Sequence, residues 1–193
     1  QKMDILFVSP PLSVNERYGR SVGIKEGHLP PLGLAALAAY VREKGKTVDI
    51  VDSLIENYTP EDVLETIKVK QPKVVCISAI TSVFSRSIEC AKKVQSDHPE
   101  ILVILGGHHA TISPLEILKQ NDCFDLLVVG EGELTLMDIL EKFEQCHNDK
   151  ETFLGTKGTL QSIDGVVFKD HGEIIQNKPR ADIPNLDALP FPA

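Results

Sequence analysis

Residues 73–82 read KVVCISAITS, and residues 101–111 read ILVILGGHHAT. Each is an apolar run, at odd and even positions alike, which is typical of a parallel strand covered on both faces. In an open parallel sheet the ends of such strands meet at the carboxyl edge, where these folds bind ligands. The small residues at both ends leave room there for a bulky group. The two stretches therefore predict an α/β fold with a ligand site at this edge.

The pattern around these stretches alternates strands with helices. Three further strands are predicted at residues 4–9, 47–52 and 125–129. Helices are predicted to start at or near Pro30, Thr59, Ser85, Ser113 and Gly132. Five strand–helix units in this order predict a doubly wound, five-stranded parallel sheet of the flavodoxin-like or Rossmann-like kind, with right-handed crossovers.

The pattern changes after residue 147. Two short β-rich segments flank a turn at residues 169–172, which predicts a β-hairpin. Residues 182–193 are rich in proline and are expected to be extended. We therefore predict an α/β domain over residues 1–147, a β-hairpin appendage over 148–181 and, over 182–193, the start of a linker to a further domain.

The composition is that of a globular chain with an excess of negative charge. Of the 193 residues, 42% are hydrophobic and 25% are charged, and the formal net charge is -8. An acidic chain without a basic stripe is not expected to bind nucleic acid or an anionic membrane. The most apolar run, residues 29–41, is too short to cross a bilayer. Because no signal peptide is evident either, we expect a cytoplasmic protein.

The cysteines do not form a metal-binding pattern. Cys76, Cys90, Cys123 and Cys146 are far apart in sequence, with no Cys-x-x-Cys pair. Structural zinc and iron–sulfur clusters need closer ligands, and disulfides are rare in a reducing compartment. We therefore predict four reduced thiols and no metal-binding residue.

The end of the first strand argues against two familiar sites. It reads Ser9-Pro10-Pro11, where a dinucleotide fold has Gly-x-Gly-x-x-Gly to hold a pyrophosphate. A phospho-receiver domain has an acidic pair at the same place. Asp52, after the second strand, could imitate a ribose-binding acid but is a weak signal alone.

The other strand ends leave alternatives open. Ser78, Thr81 and Ser82 could donate hydrogen bonds to a ligand, or could form turns and a helix cap. Gly106 and Gly107 could mark a turn that needs a positive φ, or could let a flat group lie against the backbone.

Ser78-x-Ile80 and Gly106-Gly107, with twenty-five residues between them, resemble the second and third elements of the cobalamin-binding fold. The resemblance implies that Ser78 stands near the base of the cobalamin tail and that the two glycines line the slot for that tail. The family's Asp-x-His-x-x-Gly loop, which supplies a histidine to cobalt, has no match after the first strand, and His28 lacks an aspartate two residues before it. We therefore expect cobalt without a protein histidine.

A wider resemblance covers nearly the whole chain. Four segments, residues 30–35, 106–111, 130–133 and 186–192, resemble the amino-terminal region of cobalamin-dependent radical S-adenosylmethionine enzymes. The resemblance implies a C-terminal radical domain in the same polypeptide, with a 4Fe-4S cluster and S-adenosylmethionine. The whole enzyme would then transfer a methyl group or close a ring. This chain would hold cobalamin and would not be catalytic alone.

The predicted site is assembled from these segments, with no catalytic residue among them. The predicted cofactor-binding residues are Pro10, Pro11, Ser78, Ile80, Thr81, Ser82, Gly106, Gly107, His109, Ala110, Thr111, Gly130, Glu131, Gly132 and Glu133. Glu131 and Glu133 are expected to border the corrin, although they could also favour the positive end of the next helix. His109 is expected beside the cofactor rather than on zinc, because adjacent histidines rarely converge on one ion.

Two other functions remain possible at this point. One is a cofactor-free interaction domain that keeps the fold without the ligand, which the missing histidine loop permits. The other is a Rossmann-like domain that binds a nucleotide or another small molecule at the same edge.

Overall fold

A single mixed sheet organises the protein. The computed structural model describes residues 2–10, 30–156 and 158–193. The strands in this part of the chain are β1 Met3–Ser9, β2 Val48–Asp52, β3 Pro72–Ser78, β4 Leu102–Gly106, β5 Leu126–Val128, β6 Val166–Asp170 and β7 Glu173–Gln176. They lie in the order β2-β1-β3-β4-β5-β6-β7. Strands β1 to β5 run parallel, as the sequence predicted.

Helices cover both faces of this sheet. They are α1 Leu32–Glu43, α2 Pro60–Lys70, α3 Phe84–Asp97, α4 His108–Ile112, α5 Pro114–Gln120, α6 Glu133–Gln145 and α7 Lys150–Gly155. Single 3-10 turns occur at Thr81–Val83, Leu160–Ser162 and Leu186–Ala188. Within the described ranges, no helix has the length and apolarity that a bilayer crossing requires.

Alternate side chains of each central strand enter two separate cores. Val75 and Ile77 pack with α2, α3 and α5, whereas Val74 and Cys76 pack with α1, α6 and α7. All four side chains are at most 3% exposed. Burial on both faces is the reason why these strands read as continuous apolar runs.

The strand order reverses next to β1, which opens one crevice at the carboxyl edge, between the ends of β1 and β3. β1 pairs with β2 on one side and with β3 on the other, so the connections that follow β1 and β3 leave the sheet in opposite directions. The strand ends are level at the carboxyl edge, where Ser78 pairs with Gly106 and Ser9 with Asp52. Open α/β sheets bind ligands in the crevices that form at such a reversal.

The predicted hairpin is confirmed, and it extends the same sheet. β6 runs antiparallel to β5, with Leu126 opposite Phe168, and β7 runs antiparallel to β6. The two-residue turn His171-Gly172 has φ values of 49° and 89°, which match the type I′ turns of tight hairpins. The hairpin therefore covers the β5 edge, which would otherwise expose unpaired backbone groups.

Candidate functional site

A cleft opens at the carboxyl edge, over the ends of β3, β4 and β5 and between the first turns of α1 and α6. We call it the edge cleft; its volume is about 460 Å³. Its lining residues are Gly33, Leu34, Leu37, Cys76, Ser78, Gly106, Gly107, His108, Thr111, Ile112, Val128, Gly130, Glu131, Gly132, Glu133, Leu136 and Asp182. The side chains at its base and along its helical walls are mainly apolar, whereas the polar ones lie mainly on the loops at its mouth.

The glycine pair that closes β4 serves two different purposes. A Cβ built on Gly106 would have nothing within 4 Å, because that position faces the open space of the edge cleft. A Cβ built on Gly107 would lie 2.7 Å from the carbonyl oxygen of Ala79, and the φ of Gly107 is +90°. The backbone conformation at position 107 therefore requires glycine, which is one of the two alternatives that the sequence left open. Gly106 instead leaves free space above β4.

Ser78 ends β3 on the cleft side of the sheet. It lies two residues after Cys76, so the two side chains are on the same face of the sheet, and the side chain of Ser78 is partly buried. Among the described residues, no hydrogen bond is formed by its hydroxyl group. Ser78 therefore offers the edge cleft a free donor and acceptor.

The hydroxyl group of Thr111 joins the loops that follow β4 and β5. Its Oγ1 donates to the carbonyl oxygen of Gly107 at 3.1 Å and accepts from the backbone N–H of Gly130, also at 3.1 Å. Both glycines line the edge cleft. This bridge holds two sides of the mouth at a fixed separation.

A second cleft, of about 320 Å³, lies at the strand reversal, and we call it the switch cleft. Its lining residues are Ser9, Pro10, Pro30, Pro31, Leu32, Gly33, Leu34, Asp52, Leu54, Ser78, Ile80, Val83 and His108. Ser78 and His108 line both clefts, so the two are continuous around the end of β3. Of the predicted residues, Pro10 and Ile80 lie here, while Pro11 lies outside the described residues.

The edge cleft is acidic at its mouth and neutral at its base. Glu131, Glu133 and Asp182 contribute carboxylates, and no lysine or arginine is found among the described residues that line either cleft. At the base, burial raises the pKa of the Cys76 thiol to about 12. Cys76 is therefore a protonated, neutral thiol at physiological pH.

The C-terminal segment runs between the two helices that wall the edge cleft. Arg180 donates from Nε to Thr135 Oγ1 at 2.7 Å and forms an ion pair with Asp138, so it is fixed to α6. At the other end, the backbone N–H of Ala193 donates to the carbonyl oxygen of Ala35 in α1 at 3.0 Å. The segment between these anchors thus passes the mouth of the cleft.

Several predicted residues lie away from the edge cleft. The ring of His109 is 4.2 Å from the ring of Phe84 between centroids, and its Nδ1 is 3.1 Å from Thr81 Oγ1. Ala110 is buried in the core on the opposite face of the sheet. Thr81 and Ser82 are exposed on a 3-10 turn. Contacts of these residues with a cofactor stay predictions.

Sequence reasoning missed the walls that the helices supply. Leu34 and Leu37 of α1 line the edge cleft together with Leu136 of α6 and Val128 of β5. Leu34 and Leu37 are three residues apart, which places them on one helix face. That spacing was the available signal, but it does not say which helix stands opposite.

A third cleft, of about 390 Å³, lies at the amino edge of the sheet. It is lined by Lys2, Lys73, His98 and His147, among other residues. Lys73 is paired there with Asp4 at 2.7 Å. Because this cleft is distant from the glycine loops and more polar than the edge cleft, we consider the carboxyl edge the better candidate.

The sequence matches the family described as B12 binding domain over residues 24–140. It is 34% identical over 191 residues to "Uncharacterized methyltransferase PH0819" of Pyrococcus horikoshii, covering 99% of this chain and 38% of that protein. It is 31% identical over 191 residues to "Anaerobic magnesium-protoporphyrin IX monomethyl ester cyclase" of Rubrivivax gelatinosus, covering 97% and 32%. The chain therefore spans about a third of the length of these relatives.

The fold also matches a solved structure. The radical S-adenosylmethionine methyltransferase TsrM from Kitasatospora setae, with cobalamin and a [4Fe-4S] cluster bound, superimposes with a TM-score of 0.69. The match covers 100% of this chain and 31% of that one, at 14% sequence identity. At this identity, the likeness establishes a common fold.

Proposed function

Because this chain belongs to the B12-binding domain family, we propose that it holds cobalamin at the carboxyl edge of its sheet, with the nucleotide tail in the edge cleft. The observation that carries the proposal is the open space at Gly106, where an added Cβ would meet no atom within 4 Å. That space lies over the end of β4, between two helices, and the chain's own side chains do not fill it. An otherwise close-packed α/β domain leaves such a space for a ligand.

The edge cleft suits the narrow part of a cobalamin. Its helical walls approach each other closely, since a Cβ on Gly132 would lie 3.1 Å from Leu37 Cδ2. The corrin ring with its amide side chains is too wide for this gap, so we place the ring outside, over the loops. Gly106 and Gly107 would then flank the tail, and Ser78 would offer a hydrogen bond to its base.

The charges at the mouth fit the corrin better than a nucleotide. The amide side chains of a corrin carry N–H donors, and the carboxylates of Glu131, Glu133 and Asp182 can accept hydrogen bonds from them. A nucleoside diphosphate or triphosphate would bring several negative charges to a mouth whose described lining has no lysine or arginine. The charge distribution therefore argues against the nucleotide-binding alternative.

The role of this chain is to hold and position the cofactor. When bound, cobalamin would supply a cobalt atom that can carry a methyl group. The chain's own residues orient the group: Thr111 fixes the two loops that border the tail, and Leu37 and Leu136 exclude water from the cleft.

We also propose that no histidine of this chain reaches cobalt. The sequence after β1 lacks the Asp-x-His-x-x-Gly pattern, and His28 lies outside the described residues. The ring of His109 is engaged with Phe84 and Thr81. His108 is exposed and lines both clefts, so it is the histidine to test.

For the full polypeptide we propose a cobalamin-dependent radical S-adenosylmethionine enzyme that transfers a methyl group or closes a ring. Two relatives, described as a methyltransferase and as a cyclase, support this, and each is about three times as long as this chain. The remaining length would hold the radical domain with its 4Fe-4S cluster and S-adenosylmethionine. Residues 182–193 would begin the linker to that domain.

A cofactor-free interaction domain is the rival hypothesis. A domain that had lost its ligand would be free to begin filling the cleft, since a Cβ at position 106 would meet no atom within 4 Å. The glycine at position 106, the free hydroxyl group of Ser78 and the apolar walls favour a ligand instead.

Absorption spectroscopy tests the proposal. The chain is incubated with hydroxocobalamin and passed over a gel-filtration column, and the visible spectrum of the protein peak is recorded. We expect co-elution, with a spectrum in which the tail base has left cobalt and no nitrogen ligand replaces it. A colourless peak from a chain that is folded by circular dichroism would support the cofactor-free alternative.

Three variants make this experiment specific. Gly106→Phe fills the open space over β4 and should abolish co-elution. Gly155→Phe is the matched control, because a Cβ there also meets nothing within 4 Å but lies at the end of α7. His108→Ala should leave the spectrum of the bound cofactor unchanged; a changed spectrum would mean that His108 binds cobalt.

A further inference from the structure

The base of the edge cleft has few hydrogen-bonding groups. Cys76, Val128 and Leu136 are at most 3% exposed, and Leu37 closes the space from α1. The thiol of Cys76 is a weak donor and is protonated, since burial raises its pKa to about 12. Ser78 is the one strong hydrogen-bonding side chain that the described strands present to the cleft.

The backbone beneath the cleft is committed to the sheet. Ser78 pairs with Gly106 in the β3–β4 ladder, and the N–H of Ala79 donates to the carbonyl oxygen of Gly106 at 3.0 Å. Val128 pairs with Val166 on the other side. A ligand that enters the cleft therefore finds few free backbone donors or acceptors at its base.

The remaining polar groups are at the mouth. Thr111 already uses its hydroxyl group to bridge Gly107 and Gly130. Glu131 and Asp182 are exposed on loops, and His108 and Glu133 lie in the first turns of α4 and α6. None of these lies on the strands at the base.

From this arrangement we infer that the edge cleft selects among cobamides by the nitrogenous base of the nucleotide tail. We infer that it favours dimethylbenzimidazole over adenine as that nitrogenous base. The inference rests on the proposed function, because it assumes that a cobamide tail enters the cleft. Dimethylbenzimidazole released from cobalt presents one free ring nitrogen, which Ser78 can satisfy, and two methyl groups that suit apolar walls.

Adenine is a poorer match to the same surface. It presents an exocyclic amino group and further ring nitrogens, and the single hydroxyl group of Ser78 cannot satisfy all of them. A buried donor or acceptor left unpaired weakens binding. We expect the adenine-containing cobamide to bind at least tenfold more weakly than cobalamin.

Equilibrium dialysis with three corrinoids tests the inference, with the corrin absorbance as the readout. The ligands are hydroxocobalamin, the otherwise matched adenine-containing cobamide, and cobinamide, which lacks the nucleotide tail. The expected order of affinity is cobalamin first, with each of the other two at least tenfold weaker. Equal binding of the two cobamides, or a preference for adenine, would overturn the inference while leaving the proposed function intact.

The other outcomes are separable. If cobinamide binds as tightly as cobalamin, the tail does not use the cleft and the inference fails. If no corrinoid binds, the proposed function fails with it.

A variant ties the selectivity to the base of the cleft. Val128→Thr adds a hydroxyl group there at nearly constant volume and should narrow the ratio of the two affinities. Val63→Thr, in α2 on the opposite face of the sheet, is the matched buried control and should leave the ratio unchanged. An equal change of the ratio in both variants would overturn the assignment to the cleft.

Discussion

Glu131 fastens the C-terminal segment to the loop that borders the edge cleft. Its Oε2 accepts a hydrogen bond from the backbone N–H of Ile183 at 2.7 Å, between residues 52 positions apart. The neighbouring Asp182 lines the cleft itself. The carboxylate of Glu131 therefore couples the position of the segment to the mouth of the cleft.

Removing this carboxylate should loosen the segment. Glu131→Ala leaves the N–H of Ile183 without its acceptor. A hydrogen bond to a charged acceptor contributes more to stability than one between neutral groups. We expect amide hydrogen exchange at Ile183 to become about tenfold faster by mass spectrometry. Glu133→Ala is the control and should leave that exchange unchanged. If exchange at Ile183 is equally fast in the wild type, the anchor does not persist in solution.

The two glycines at the end of β4 should differ in how much stability is lost when each is replaced by alanine. Gly107→Ala places a methyl group 2.7 Å from a backbone oxygen, at a φ of +90°. We expect it to lower the free energy of unfolding by about 2 kcal/mol. Gly106→Ala meets no atom and should change it by less than about 1 kcal/mol. Urea denaturation measures both, and equal losses would contradict the separation of their roles.

The sequence predicted the sheet well because its central strands are buried on both faces. The apolar runs at 73–80 and 101–105 have no other simple interpretation, and the observed strands β3 and β4 overlap them closely. The start of a helix can also be predicted from the sequence where the capping residue bonds to a residue close to it in the chain. At Thr59, the side chain accepts from the N–H of Asp62 at 3.3 Å, within one turn.

The features that escaped prediction depend on contacts distant in sequence. Helix α4, His108–Ile112, has only five residues, too few for a periodic pattern, so the sequence does not predict it. The wall formed by Leu37 and Leu136 needs the packing of α1 beside α6. The anchor between Glu131 and Ile183 has no local signal at all. A site built by tertiary contacts is predictable at its strand ends but not along its walls.

At the amino edge, Asp4 ties three strands together, and its charge should make stability depend on pH. Its carboxylate accepts from Lys73 Nζ at 2.7 Å and from the N–H and hydroxyl group of Thr47, both at 2.8 Å. Partial burial raises the pKa of Asp4, but these bonds outweigh it and lower the pKa below its usual range. The stabilisation is therefore present above the pKa of the unfolded state, about 4, and is lost as pH falls through the folded value.

Asp4→Asn should then lower the free energy of unfolding by about 1 to 2 kcal/mol at pH 7. The difference from the wild type should shrink as pH falls below about 4. Urea titrations at several pH values measure it, with Asp187→Asn in the C-terminal segment as the control. A difference that stays constant down to pH 2 would mean that the charge of Asp4 is not what stabilises this edge.

A buried ion pair contains a carboxyl group whose pKa is shifted in the opposite direction from that of Asp4. Lys150 Nζ lies 2.9 Å from Asp125 Oδ2, and the two side chains are 14% and 11% exposed. Asp125 also accepts from the N–H of Val103 at 2.7 Å and from Gln95 Nε2 at 3.0 Å. Burial raises the pKa of Asp125, and Lys150 opposes that rise.

Lys150→Met should leave Asp125 as a buried charge without a cation, at a cost of about 3 kcal/mol at pH 7. Its pKa would rise further, and a group with a raised folded pKa destabilises the fold as pH rises through that value. The gap between variant and wild type should therefore narrow as pH falls from 8 to 5, measured by urea denaturation. Adding Asp125→Asn to the variant should recover part of the loss, because it removes the unpaired charge. A gap that is the same at both pH values would assign the loss to the packing of the Lys150 side chain rather than to its charge.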